Sequence, residues 1–248
     1  MNIAQEVKIH TSGLVELNTF EDDKTTSITC NLGDYVNYMS SMFSSVKTPL
    51  LPQYCRFYAK KKEKVCVVIE RPSFVAKQLK TIYGVIENVV IPTTVWFFDL
   101  NESSDGKLTT SYVYLYHIGS LEGLTLDITL SEFIFPHYAT NYHGICWGTS
   151  LPMITNLSSR LENLGRLPDL FFATTSSDHL PPHDTITNRF RSVCRDNNVP
   201  RLPGFPDRFG LVYDVLKNAP HLTDSILVKT VKTPRMIIAE ILGDNNAN

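Results

Sequence analysis

The chain has 248 residues, with 23 Lys and Arg against 25 Asp and Glu, a formal net charge of −2. No global basic field is present to coat a polyanion or to hold a polybasic membrane contact, and a hydrophobic fraction of 43% excludes disorder as the dominant state. A chain of this length buries roughly 70–75% of the surface its unfolded form exposes, so its core needs neither disulfides nor a structural metal.

Cys30, Cys55, Cys66, Cys146 and Cys194 are widely spaced, odd in number and without a Cys-x-x-Cys pair, which argues against a secreted disulfide framework and against a zinc ribbon. The opening MNIAQEVKIH is polar where a secretory signal is apolar, and no run approaches the roughly 18 apolar residues that span a bilayer. The expectation is a cytoplasmic protein of a reducing compartment, with no membrane contact and no cofactor or metal.

In chain order, alternating residues 6–10, 13–20 and 25–32 predict an antiparallel ribbon. Asp34 then caps a helix to about Ser45, with Tyr35, Tyr38, Met39, Met42 and Phe43 along one face, and Pro49 and Pro52 end it. Residues 54–58, 65–70, 77–83, 88–91, 94–100 and 108–118 predict a meander of antiparallel strands. Lys60, Lys61, Lys62 and Lys64 fall in a hairpin turn, and Asp105-Gly106 marks a second one. By period-2 arithmetic Tyr112, Tyr114 and Tyr116 share one face and Val113 and Leu115 the other, so the sheet is expected to be covered on both sides.

Helices are expected over residues 155–164, ended by Gly165, and over 185–197 and 207–218, with Pro-rich connectors at 180–183 and 199–204. The fold class is therefore α+β: an antiparallel β-meander, an ordered Cys-containing loop, and C-terminal helices. Residues 1–165 form the β-rich core with one early helix, and residues 166–248 a helical region packing on it.

The segment 135–149, FPHYATNYHGICWGT, carries the chemistry. His137 and His143 lie within nine residues of Cys146, and an imidazolium beside a sulfur raises the thiolate fraction. Gly144 and Gly148 permit a sharp path that presents the sulfur. The bland alternative is a buried cysteine, common for that residue type, with Trp147 packed over it. Cys55, Cys66 and Cys194 read as packing residues. His179 and His183 are separated by two prolines, which prevents the helical spacing of a metal pair. Arg189, Arg191, Arg195, Arg201 and Arg208 read as a solvated face before a phosphate-binding surface, so nucleic acid is not the expected partner.

Three landmarks in order carry a resemblance: Glu70-Arg71-Pro72, then Pro92 to Phe98 within an aromatic strand, then Gly144-Ile145-Cys146-Trp147-Gly148. The chain resembles, over about residues 65–150, the ubiquitin-conjugating-enzyme-like fold, and in particular prokaryotic family D of that group, a plasmid and phage type that includes protein B of the PRTRC gene clusters. The resemblance implies that Cys146 accepts a ubiquitin-like modifier as a thioester from an activating enzyme, in the cytoplasm of a bacterial host. It also implies a departure, because Tyr138 stands where the eukaryotic enzymes place the asparagine of a His-Pro-Asn tripeptide. An oxyanion donor would have to come from Asn141, His137, His143 or the Tyr138 hydroxyl. The second reading is a non-catalytic scaffold of the same fold that binds protein partners, such as a plasmid or phage accessory protein or a virion component.

Overall fold

The computed structural model describes residues 3–10, 12, 14–21, 24–35, 51–135, 138–139, 144–145, 157–175 and 184–244. The chain divides into two compact units, Met1–Pro49 and Leu50–Asn248. In the first, β1 (Ile3–Ile9), β2 (Leu14–Glu21) and β3 (Lys24–Asn31) form an antiparallel sheet in that order, as the alternation predicts. Residues 32–35 begin a helix, and its cap is Asn31 rather than Asp34. The Asn31 Oδ1 accepts the Asp34 backbone N–H at 2.8 Å, and its Nδ2 donates to the Asp34 carboxylate at 2.5 Å. Asn31 still has strand backbone while its side chain reaches an orphan N–H three residues on, which is what a cap requires. The expected continuation to Ser45 lies outside the described residues.

The second unit is built on a five-stranded antiparallel sheet of order β10-β9-β8-β5-β4, from β4 (Cys55–Lys61), β5 (Lys64–Arg71), β8 (Thr94–Glu102), β9 (Leu108–His117) and β10 (Ser131–Glu132). The intervening β6 (Phe74–Thr81) and β7 (Gly84–Ile91) make a two-stranded sheet of their own, so the strands do not run as a simple meander. The cause is local. Pro72 and Pro92 sit at matching places in the two connections, and a residue without an N–H cannot continue a ladder. Arg71 pairs with Thr94 on one side of this joint and Phe74 with Ile91 on the other, while the Ser73 N–H donates to Thr93 Oγ1 across it.

Consecutive residues of the central strands enter different cores. Val67, Ile69, Trp96, Phe98 and Leu115 pack on one face against the β6–β7 hairpin and helices α1 (Leu167–Ala173), α2 (Asp184–Asp196), α3 (Asp207–Asn218) and α4 (Thr223–Ile226). Cys66, Val68, Phe97 and Tyr116 pack on the other face against Ile237 and Ile241 of α5 (Pro234–Leu242). A nine-residue helix is marginal alone, but burying those two isoleucines contributes about 1.5–3 kcal/mol each. Both-sided coverage, expected from β9, is thus present in the described residues.

One helix expectation is corrected. Residues 161–166 form a 3₁₀ helix that runs straight into α1, so Gly165 does not end anything. A Cβ there would lie 2.8 Å from the backbone oxygen of Gln53 and 2.9 Å from its nitrogen. Gly165 is required for close approach of two chain segments, a constraint invisible in local sequence.

Candidate functional site

The chain leaves the sheet through β10, which pairs with the end of β9: Ser131 opposite His117, and Glu132 opposite Tyr116. Phe133, Ile134 and Phe135 follow and are buried, rooting the segment in the larger core. Phe133 meets Phe171 and Phe135 meets Phe172 edge to face, and Phe135 lies tilted against Tyr213, with centroid separations of 5.1–6.5 Å. Next comes a minimal hairpin, β11 (Tyr138–Ala139) with β12 (Gly144–Ile145), in which Tyr138 pairs with Ile145 and Ala139 with Gly144. β12 lies beside β9, and the half-buried Ile145 packs against the core.

Of the predicted site residues, Tyr138 contributes the described backbone pairing to Ile145. Cys146, His137, His143 and Asn141 lie outside the described residues, as do Trp147, His179 and His183. The residue before the Tyr138–Ile145 pair in sequence is His137 and the residue after it is Cys146.

The remaining cysteines are packing residues to different degrees. Cys66 is buried and its thiol is pushed up to about 12, first by burial and then by the nearby Asp99 carboxylate. Burial likewise lifts Cys194 to about 11, with Asp214 adding to it. Cys55 is half-buried, shifted upward by burial and partly offset by its contact to the Phe57 carbonyl at 3.4 Å. These three are poor thiolates at neutral pH.

His117 is a residue that sequence reading passed over. It is fully buried, its Nδ1 lies 3.0 Å from the Thr93 carbonyl, and its ring stacks on Phe133 at 5.0 Å with only 5° between planes. A carbonyl can only accept, so Nδ1 carries the proton and donates it. Burial holds the imidazole down at about 4, against a smaller opposing effect of the Thr93 bond, and it is neutral at pH 7. Among the described residues, its Nε2 and the Oγ of its cross-strand partner Ser131 have no hydrogen-bond partner. Parity was the available signal, since His117 shares the face of Val113 and Leu115.

The Glu70-Arg71-Pro72 landmark is a corner joint. Glu70 is buried and accepts from Arg56 Nε at 2.6 Å. The Arg71 guanidinium sits 4.4 Å from the Phe74 centroid and 5.2 Å from that of Tyr54, while its Nε donates to Asp169 at 2.8 Å in the first turn of α1. This arrangement ties strand to helix.

The basic clusters are locally compensated. Lys60 pairs with Glu102 at 2.7 Å, Lys61 with Asp244, and Lys64 with Asp99 at 3.0 Å. Arg189 Nε donates to the Ser225 carbonyl, Arg195 pairs with Asp196, and Arg201 pairs with the fully buried Asp214 at 2.6 Å. Among the described residues no three His, Cys, Asp or Glu side chains converge as metal ligands, and no helix is long and apolar enough to cross a membrane.

Comparisons of the chain with protein-family models, curated proteins and solved structures return no match.

Proposed function

We propose that the chain is a ubiquitin-conjugating-like carrier that accepts a ubiquitin-like modifier as a thioester on Cys146. The supporting observation is the β11–β12 hairpin, set between an antiparallel sheet and the helices, with the candidate cysteine immediately after its last paired residue. Ile145 of this hairpin packs against the core and the segment leading to it is buried at Phe133 and Phe135, which supports reading it as the base of a reactive loop.

In this reading the Cys146 thiolate attacks the carbonyl of a modifier thioester held by an activating enzyme. The tetrahedral intermediate collapses with departure of the activating enzyme's thiolate, and the acyl group is then transferred to an amine, whose proton passes to His137 or His143. Asn141, His137, His143 or the Tyr138 hydroxyl serves as oxyanion donor, a contribution worth ~10² to 10³ in rate. The partners are the modifier and its activating enzyme, in the cytoplasm of a bacterial host.

A specific observation favours the second reading, a non-catalytic scaffold: the position of the family's asparagine is held by Tyr138, whose backbone is committed to the β11–β12 pairing. Iodoacetamide labelling of the folded protein, mapped by mass spectrometry, separates the two. The carrier reading expects Cys146 to label fastest, ahead of Cys55, with Cys66 and Cys194 slowest. If Cys146 labels no faster than the other four, or if wild type forms no more thiol-sensitive adduct with an activated modifier than Cys146→Ala does, the scaffold reading replaces it.

A further inference from the structure

Two buried polar side chains are set against each other at the foot of the segment that leads to the β11–β12 hairpin. Ser131 of β10 stands opposite His117 of β9, and both are wholly buried. The hydrogen bonds on the far side of β10 fix which way this pair faces. The Leu130 N–H donates to the Lys232 carbonyl at 3.0 Å, the Thr230 N–H to the Leu130 carbonyl at 2.8 Å, and the Glu132 N–H to the Val228 carbonyl at 2.8 Å. Residues 130 and 132 thus turn their backbone groups towards 228–232, and Ser131 turns its own towards β9. Directly opposed residues on such a rung have Cα atoms about 5.5 Å apart and side chains on one face. Phe133, two residues on and so on that same face, stacks on the imidazole at 5.0 Å, and Phe135 lies 5.9 Å from it.

The facing atoms are complementary, yet they are not bonded to each other. Nδ1 of His117 gives its proton to the Thr93 carbonyl, so Nε2 presents a lone pair, and Ser131 presents a hydroxyl; among the described residues neither atom has a partner. Leaving such a group dry costs about 1–3 kcal/mol. Thr94, opposite His117 on β8, has its Oγ1 engaged by Trp96 Nε1 at 2.9 Å. We infer that one water molecule sits between these two atoms, donating a hydrogen to His117 Nε2 and accepting the Ser131 hydroxyl proton. The occupant must donate to Nε2. It must also be neutral, because no charged side chain among the described residues acts on the imidazole, and small, because both residues are sealed from solvent beside aromatic rings. Water meets all three conditions, and folded chains hold about one buried water per 27 residues, typically with 2–4 polar partners each. The bridge holds His117 in its Nδ1–H tautomer and fastens β10, only two residues long, to β9 through side chains as well as backbone.

The test is a high-resolution crystal structure of the full chain at neutral pH, read together with the nitrogen-15 resonance of His117 Nε2 in solution. The expected result is a water peak about 2.6–3.2 Å from both atoms, lost in Ser131→Ala together with a downfield shift of the Nε2 resonance as its hydrogen bond disappears. Ser131→Cys, whose thiol is the weaker hydrogen-bonding group, gives the same shift to a smaller extent should Ser131→Ala not fold. A wild-type Nε2 bonded directly to the Ser131 hydroxyl or to any other side chain, a site with no water at either atom, or an Nε2 resonance indifferent to both substitutions overturns the inference. None of these outcomes depends on the chemistry of Cys146.

Discussion

Acid should destabilise this protein through His117, by an amount the structure specifies. The imidazole is fully buried, donates Nδ1–H to the Thr93 carbonyl, and titrates at about 4 against 6.5 in the unfolded chain. Because the folded value is depressed, the unfolded state binds a proton that the native state refuses. The stabilisation is therefore complete above the unfolded value and is lost as pH falls toward about 4. At about 1.4 kcal/mol per pH unit, the loss is about 2 kcal/mol by about pH 5 and approaches about 3 kcal/mol below pH 4. Urea unfolding followed by the fluorescence of buried Trp96, from about pH 7.5 to pH 4.5, measures it against His117→Phe, which keeps a ring over Phe133 but has nothing to titrate. That variant strands the Thr93 carbonyl, a cost present at every pH, so the slope and not the offset carries the information. Wild type and variant losing stability in parallel across this range would refute the assignment.

Two further perturbations probe the joints of the second unit. Gly165→Ala drives a methyl group to within 2.8 Å of the Gln53 backbone and is expected to cost about 1–3 kcal/mol in thermal unfolding, whereas Gly123→Ala, with no atom within 4 Å, should be near neutral. Equal midpoints for the two variants would show that the 53–165 contact yields freely. Asp214→Ala removes the ion-pair partner of Arg201, whose Nε lies 2.6 Å away, and the acceptor for the Leu202 N–H at 2.7 Å, at a cost of about 3 kcal/mol with faster amide exchange at Leu202. Asp214→Asn, which can still accept from Leu202, should lose less; an Asp214→Ala protein as stable as wild type would remove the ion pair from the account.

The legible features of the fold were those that repeat along the chain. Alternation located β1 to β3, and strand-forming composition β4, β5, β8 and β9, to within a few residues, while the tyrosine and Val113/Leu115 parity on β9 foretold a sheet covered on both faces. Helices α2 and α3 were visible because 12 or 13 residues give the 3.6-residue period room to show. Helix α1, with seven residues and a proline in its first turn, carries too little period to read. α5 was overlooked although its signals are present: Thr233 accepts from the Met236 N–H, Pro234 opens the helix, and Gly243 closes it at φ 68°. Of the candidate site, the chain order of sheet, loop and helices was readable, whereas the pairing of Tyr138 with Ile145 was not, since two-residue strands have no pattern.

The sequence by itself determined where most strands of the two larger sheets run, that neighbouring strands pair antiparallel, and that β9 turns its tyrosines to one face and Val113 and Leu115 to the other. Each of these depends on residues near one another along the chain, where spacing alone decides which side chain faces which way. Tertiary structure decided the rest. It made Gly165 a contact point instead of a helix stop, gave β6 and β7 a sheet of their own, and placed a neutral His117 between Thr93 and Phe133. Those features arise where segments distant in sequence meet, and close packing and desolvation at such meetings act on the folded chain only.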